Sequence, residues 1–112
     1  MSMTTLDGKI IDIINSAHKY PCIKRVGVFG SFARGDNYDG SDIDLLYDYD
    51  SGSEQSTDEI LEYVDEIDEK IKAAVNVIKV DYVWYEGVFK SSNEKFKQAV
   101  LKDVIWVYER KQ

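Results

Sequence analysis

Cysteine, proline and histidine each occur once in these 112 residues, and each scarcity closes off a class of protein. A lone Cys22 excludes an intramolecular disulfide and makes a reducing cytoplasm the expected setting. Cys22 reads as a small apolar core residue rather than a catalytic thiol. His18 has no second histidine or cysteine at ligand spacing, which favours a surface or boundary position over metal binding. No run approaches the roughly 18 apolar residues that a membrane span needs. Residues 1–7 lack the charged and apolar regions of a signal peptide. Positive charge is scarce too: 14 Lys and Arg against 21 Asp and Glu leave a net charge of −7. Lys90, Lys95, Lys97 and Lys102 form the densest positive cluster, and acidic residues interrupt it. A grip on nucleic acid rests on a basic patch that releases counterions, so no direct nucleic-acid binding is expected. Acidity instead favours a magnesium site or a basic protein partner.

What is present fits one domain, residues 1–112, with 44% apolar residues to build a modest core. Leu6, Ile10, Ile13, Ile14 and Ala17 recur at helical spacing and predict an amphipathic helix near residues 4–20, which Pro21 stops. Residues 23–29 read as a first strand, Gly30-Ser31 as its break, residues 32–34 as a short helix, and residues 36–40 as a turn. A second strand is expected over residues 42–49, then the longest loop over residues 50–57. Ser56 and Glu59 make a capping box ahead of a long amphipathic helix through Ile60, Leu61, Val64, Ile67, Ile71, Ala74 and Val75. A third strand follows at residues 77–83. Ser91 and Glu94 suggest another cap, opening a helix through Phe96, Ala99 and Val100. Residues 105–108 read as a short final strand. The sum is a small α/β fold, a mixed sheet of three main strands and a short C-terminal strand, packed with helices.

The chemistry is concentrated between Gly30 and Leu46. Asp42 and Asp44 stand two apart on the second expected strand, so both carboxylates point to one face, about 7 Å apart at their Cα atoms. Like charges that close repel, and a divalent magnesium ion with its preference for oxygen ligands relieves the repulsion. Gly30 lets the backbone approach a phosphate closely, the start of the following helix offers N–H groups, and Ser31 adds a hydroxyl donor. A third carboxylate completes such a site. Asp81 is the candidate, since a charge inside the apolar run Val80-Asp81-Tyr82-Val83 is disfavoured unless paired or bound to metal. A solvated edge-strand position also suits it. Glu86 is the reserve, beside Gly87 in an expected turn. Trp84, Trp106 and the eight tyrosines read mainly as core or interface residues, although any could stack a base.

Gly30-Ser31, ten residues, then Asp42-Ile43-Asp44 resembles the signature of the DNA polymerase β-like nucleotidyltransferase superfamily. The fuller form, Gly30-Ser31-Phe32-Ala33-Arg34-Gly35 followed by Ser41-Asp42-Ile43-Asp44-Leu45, is similar to its minimal nucleotidyltransferase branch. The resemblance extends over nearly the whole chain. It implies the small nucleotidyltransferase fold, ATP as substrate, and two Mg2+ ions held by Asp42, Asp44 and Asp81. It places Gly30 and Ser31 on the phosphates, with Arg34, Gly35 and Ser41 in the same nucleotide-binding segment. Arg34 either buttresses the carboxylates or reaches a phosphate. The implied reaction is in-line displacement at the α-phosphorus, with Asp81 able to take the proton of the attacking hydroxyl.

Three functions compete for that chemistry. Proteins of this branch and size pair with a helical HEPN RNase toxin, and the resemblance implies an antitoxin that transfers AMP to a toxin tyrosine, in a hetero-oligomer with it. An antitoxin that only covers the toxin is a second reading, against which the intact carboxylate set argues. A nucleotidyltransferase subunit acting on a small molecule such as an antibiotic is the third. No membrane partner is expected.

Overall fold

The computed structural model describes residues 8–35, 42–74 and 79–111. Along the chain run α1 (Gly8–Ile14), a 3-10 segment (Asn15–Lys19), β1 (Ile23–Phe29), α2 (Ser31–Arg34) and β2 (Ile43–Tyr49). Then come α3 (Glu54–Ala74), β3 (Val80–Trp84), α4 (Tyr85–Phe89), α5 (Glu94–Asp103) and β4 (Ile105–Glu109). The strands form one mixed sheet in the order β3-β2-β1-β4. β1 pairs antiparallel with β2 and β4, while β3 lies parallel to β2. A parallel pair cannot be closed by a tight turn, which is why α3 is spent as the crossover between them.

Alternation along the strands sorts the side chains into two layers. Ile43, Leu45, Val28 and Val80 join Ile10, Ile14 and Ala17 ahead of β1, and Ile60, Tyr63, Ile67 and Ile71 of α3. Their neighbours Phe29 and Leu46 point the other way and meet Val88 of α4 and Val100 of α5. The sheet is therefore buried on both faces. Among large side chains, Tyr63 is buried in the first layer and its hydroxyl donates to the Ile14 carbonyl at 2.9 Å. That bond ties α3 to the end of α1 and satisfies the one polar atom of the ring. Gly27 of β1 lies where the α5–β4 junction crosses the sheet; an added Cβ would stand 2.7 Å from Val104 Cγ2. No helix among the described residues is long and apolar enough to cross a membrane.

Several boundaries differ from the sequence expectation. The first helix is α-helical only to Ile14, and tightens into 3-10 geometry before Tyr20 leaves the helical region ahead of Pro21. The long helix begins at Glu54 rather than behind Ser56, because Ser53 takes the capping role: its hydroxyl accepts from the Ser56 N–H at 3.0 Å. Glu59 is then released from the expected capping box and accepts from the Cys22 N–H at 3.2 Å. Asn93, not Ser91, caps α5, accepting from the Phe96 N–H at 3.1 Å. Glu86 sits in helix α4 rather than a turn. The C-terminal strand is a full member of the sheet, as long as β3 at 5 residues. The expected turn at residues 36–40, together with Leu6, Val75 and Val77, lies outside the described residues.

One ionic contact fastens α3 to the 3-10 segment. Glu66 accepts from Lys19 Nζ at 2.7 Å, Lys70 Nζ at 2.8 Å and the Tyr20 hydroxyl at 2.7 Å. Lys19 first, then Lys70 and Tyr20, hold its carboxyl down at about 2. A depressed carboxylate stabilises the fold above its unfolded value of 4.5, and that contribution is lost as pH falls through about 2. Urea unfolding from pH 7 to 2 should therefore show Glu66→Gln less stable than wild type at neutral pH, with the two curves converging in acid. A gap that persists unchanged to pH 2 would assign the stabilisation to packing instead.

Candidate active site

Three segments distant in sequence meet at one end of the sheet. Pairing of β1 with β2 sets Phe29 opposite Asp44, and parallel pairing of β2 with β3 sets Asp44 opposite Asp81. Both carboxylates thus lie on the face that α4 and α5 cover, one step from the end of β1. There the chain turns at Gly30, whose φ of 75° and ψ of −151° suit glycine alone. An added Cβ at Gly30 would collide with Asp44 Oδ2. The helix beyond is a single turn. Its hydrogen bonding begins with the Arg34 N–H donating to the Gly30 carbonyl at 3.0 Å, and Gly35 closes it in the left-handed region at φ 84°. Ser31 is half-buried at its first position.

The electrostatics follow from this crowding. Burial pushes the Asp44 carboxyl up to about 6, a hydrogen bond and the charge of Asp81 add to it, and Asp42 adds its charge; Arg34 opposes them. Asp42 precedes the first residue of β2 rather than opening the strand, yet its charge is felt at Asp44. Asp81 is partly exposed and lies 3.4 Å from Lys79 Nζ.

A divalent cation suits this donor set. A hydrogen bond between two carboxyl groups requires a proton on one of them, and a cation does the same neutralising work at higher pH. Every candidate ligand is a hard oxygen, the type magnesium prefers. Among the described residues no three acidic, histidine or cysteine side chains already stand as a cation cage. Asp44 and Asp81 touch, and Asp42 acts on the pair through its charge.

The remaining expected site residues are distributed as follows. Arg34 is half-exposed, its Nη1 held 2.8 Å from Asp103 Oδ2 at the end of α5, with its charge still reaching Asp44. Ser41 lies outside the described residues. Glu86 pairs with Lys90 at 2.9 Å, four residues along the chain. Cys22 is buried, and that burial, with Glu59 beside it, pushes the thiol up to about 12, a poor nucleophile. Asp103 escaped the sequence reading because nothing about a lone aspartate at a helix end signals a partner 69 residues away.

Comparison with known proteins agrees with the geometry. Residues 11–112 match the family model of polymerase β nucleotidyltransferases. This chain belongs to that nucleotidyltransferase family. It is 31% identical over 112 aligned positions to the protein adenylyltransferase MntA of Thermococcus cleftensis, spanning 96% of this chain and 100% of that protein. A Methanocaldococcus jannaschii protein assigned as a protein adenylyltransferase is 32% identical over 85 residues, 76% of this chain and 77% of its own. Among solved structures, a toxin–antitoxin complex with AMP-PNP aligns at a TM-score of 0.57 and 22% identity, over 94% of this chain and 74% of that one; this is a likeness of fold. The expected α/β nucleotidyltransferase fold and the enzyme class are both met.

Gly30 should tolerate no side chain. In Gly30→Ala the left-handed backbone strains by about 1–3 kcal/mol, and the new methyl displaces the Asp44 carboxylate. Urea denaturation should show a loss of that order, and nucleotide affinity should fall as well. Wild-type affinity in this variant would mean the turn does not define the site.

Proposed function

We propose that this protein transfers AMP from ATP to a tyrosine hydroxyl of a cognate HEPN-type RNase toxin, using two magnesium ions, and acts in the cytoplasm as that toxin's antitoxin. The observation that carries this reading is the contact of Asp44 with Asp81, with Asp42 acting on the pair, directly beneath the Gly30 turn. The kinship supports it: the Thermococcus relative is named a protein adenylyltransferase, and the fold neighbour is a toxin–antitoxin complex holding an ATP analogue.

Each residue then has a task. Gly30 and Ser31 cradle the phosphates, with Arg34, Gly35 and Ser41 in the same segment. Asp42, Asp44 and Asp81 would hold magnesium, which when bound neutralises the carboxylates and polarises the triphosphate. The acceptor oxygen bonds to the α-phosphorus, the bond to the β-phosphate oxygen breaks, and pyrophosphate leaves. Asp81, partly exposed on β3, takes the hydroxyl proton. A transferred AMP adds a negative phosphodiester and a bulky base. Beside an RNase site both would obstruct an RNA phosphate. The chain's charge of −7 also suits a basic partner.

The carboxylates should contribute chemistry rather than stability. Asp42→Ala/Asp44→Ala should abolish transfer, with a melting temperature in magnesium-free buffer equal to or above wild type, since repulsion is relieved. A large destabilisation with activity retained would refute the assignment. Asp81→Asn should lower kcat by about 10²–10⁴-fold while leaving ATP affinity largely intact. If Glu86→Gln is inactive and Asp81→Asn is not, the third carboxylate is Glu86.

The acceptor is tested on the toxin. Incubated with ATP, magnesium and wild-type protein, the recovered toxin should gain one or more AMP units by intact mass, located on a tyrosine. It should stay inactive after separation. The double aspartate variant should leave it unchanged. A toxin that regains full RNase activity on separation, with no mass change, would establish inhibition by covering alone.

A further inference from the structure

The last residue of α5 sits where helix electrostatics disfavour it. The C-terminal end of a helix carries partial negative charge, so a carboxylate in the final turn is destabilising there. Asp103 nevertheless occupies that turn, mostly buried, and faces Arg34 on α2. The resulting ion pair is short at 2.8 Å, but Arg34 is 48% exposed. A pair whose cation is half in water is screened, and contributes only modestly to stability. A carboxylate that works against its own helix and adds little to the fold is best explained by what it does to its partner.

Arginine's guanidinium is a rigid planar fork, so holding one terminal nitrogen restricts the plane of the whole group. Arg34 is the last residue of α2, and Asp44, at the foot of that turn, feels its charge. The ligand that needs an oriented cation between a phosphate-cradling turn and an acidic cluster is a polyphosphate. We propose that Asp103 is a positioning residue that orients Arg34 for the triphosphate of the bound nucleotide. The proposal rests on the transferase reading for the identity of the ligand. It assigns to the end of α5 the task of setting nucleotide affinity. Val104, the next residue, packs against Gly27 of β1 and keeps the end of α5 in register with the sheet.

The test measures binding separately from turnover. AMP-PNP with magnesium is titrated calorimetrically into wild type, Asp103→Asn, Asp103→Glu, Arg34→Ala and the double variant Arg34→Ala/Asp103→Asn. Asp103→Asn should weaken binding about tenfold, the scale of one charge-assisted contact, and Asp103→Glu should restore most of it. The double variant should bind no worse than Arg34→Ala, since without Arg34 there is nothing to orient. The melting temperature of Asp103→Asn should equal or exceed wild type. In transfer assays KM for ATP should rise and KM for the toxin should stay constant. Unchanged affinity, additive losses, or a loss that tracks a lowered melting temperature would overturn the proposal. Binding that depends on both residues in a protein that never transfers AMP would overturn the transferase reading alone.

Discussion

Two aspartates held side by side by parallel strand pairing are the constraint around which this fold is arranged. Asp44 and Asp81 face each other in register because β3 runs parallel to β2, and a parallel neighbour demands a crossover. α3 supplies it, and its buried Ile60, Tyr63, Ile67 and Ile71 then form one wall of the core. Gly30 answers the same constraint from the other side, leaving the space that the Asp44 carboxylate fills. Helix, turn and sheet order are all consistent with bringing acidic groups into a place where they repel one another. That repulsion is what a bound cation would relieve.

The fold was largely legible because its signals are local. Alternation marked β1 and β2, periodicity marked α3, and Gly30-Ser31 marked the break between strand and helix. Caps were less legible, since Ser53 and Ser56 are both competent and only the packing of α3 decides between them. The site was half legible. Asp42 and Asp44 declare themselves by spacing, and Asp81 by being charged in an apolar run. Asp103 does not declare itself, because its significance depends on where α5 ends relative to α2. Short α4 was missed as well: five residues with a glycine at their centre give too little periodicity to read.

The face carrying the site is polar at both ends and apolar in the middle. Asp44, Leu46 and Asp48 follow one another along β2, and Leu46 is fully buried beneath α4 and α5. At the far end Asp48, the one buried charged residue among those described, pairs with Arg25 at 3.2 Å. The Arg25 guanidinium also lies over the rings of Tyr85 and Trp106, 4.7 and 4.0 Å from their centroids. Charges are paired in this cluster, whereas at the opposite end the carboxylates crowd one another. Together with the edge-to-face Tyr85–Trp106 pair, the guanidinium clamps the start of α4 and β4 to the sheet, and so holds in place the layer whose far edge is Asp103.

The parallel β2–β3 pair also sets an order of assembly. A ribosome delivers Gly30, Ser31, Asp42 and Asp44 together, within 15 residues of chain. Asp81 arrives only after all of α3 has been made and has packed. Contacts across a long stretch of chain form late, once the closure entropy of the intervening segment has been met. A half-made chain therefore holds the Gly30 turn and Asp44 without Asp81, the register partner of Asp44 on β3. The carboxylate pair exists only once the crossover is complete and β3 lies beside β2.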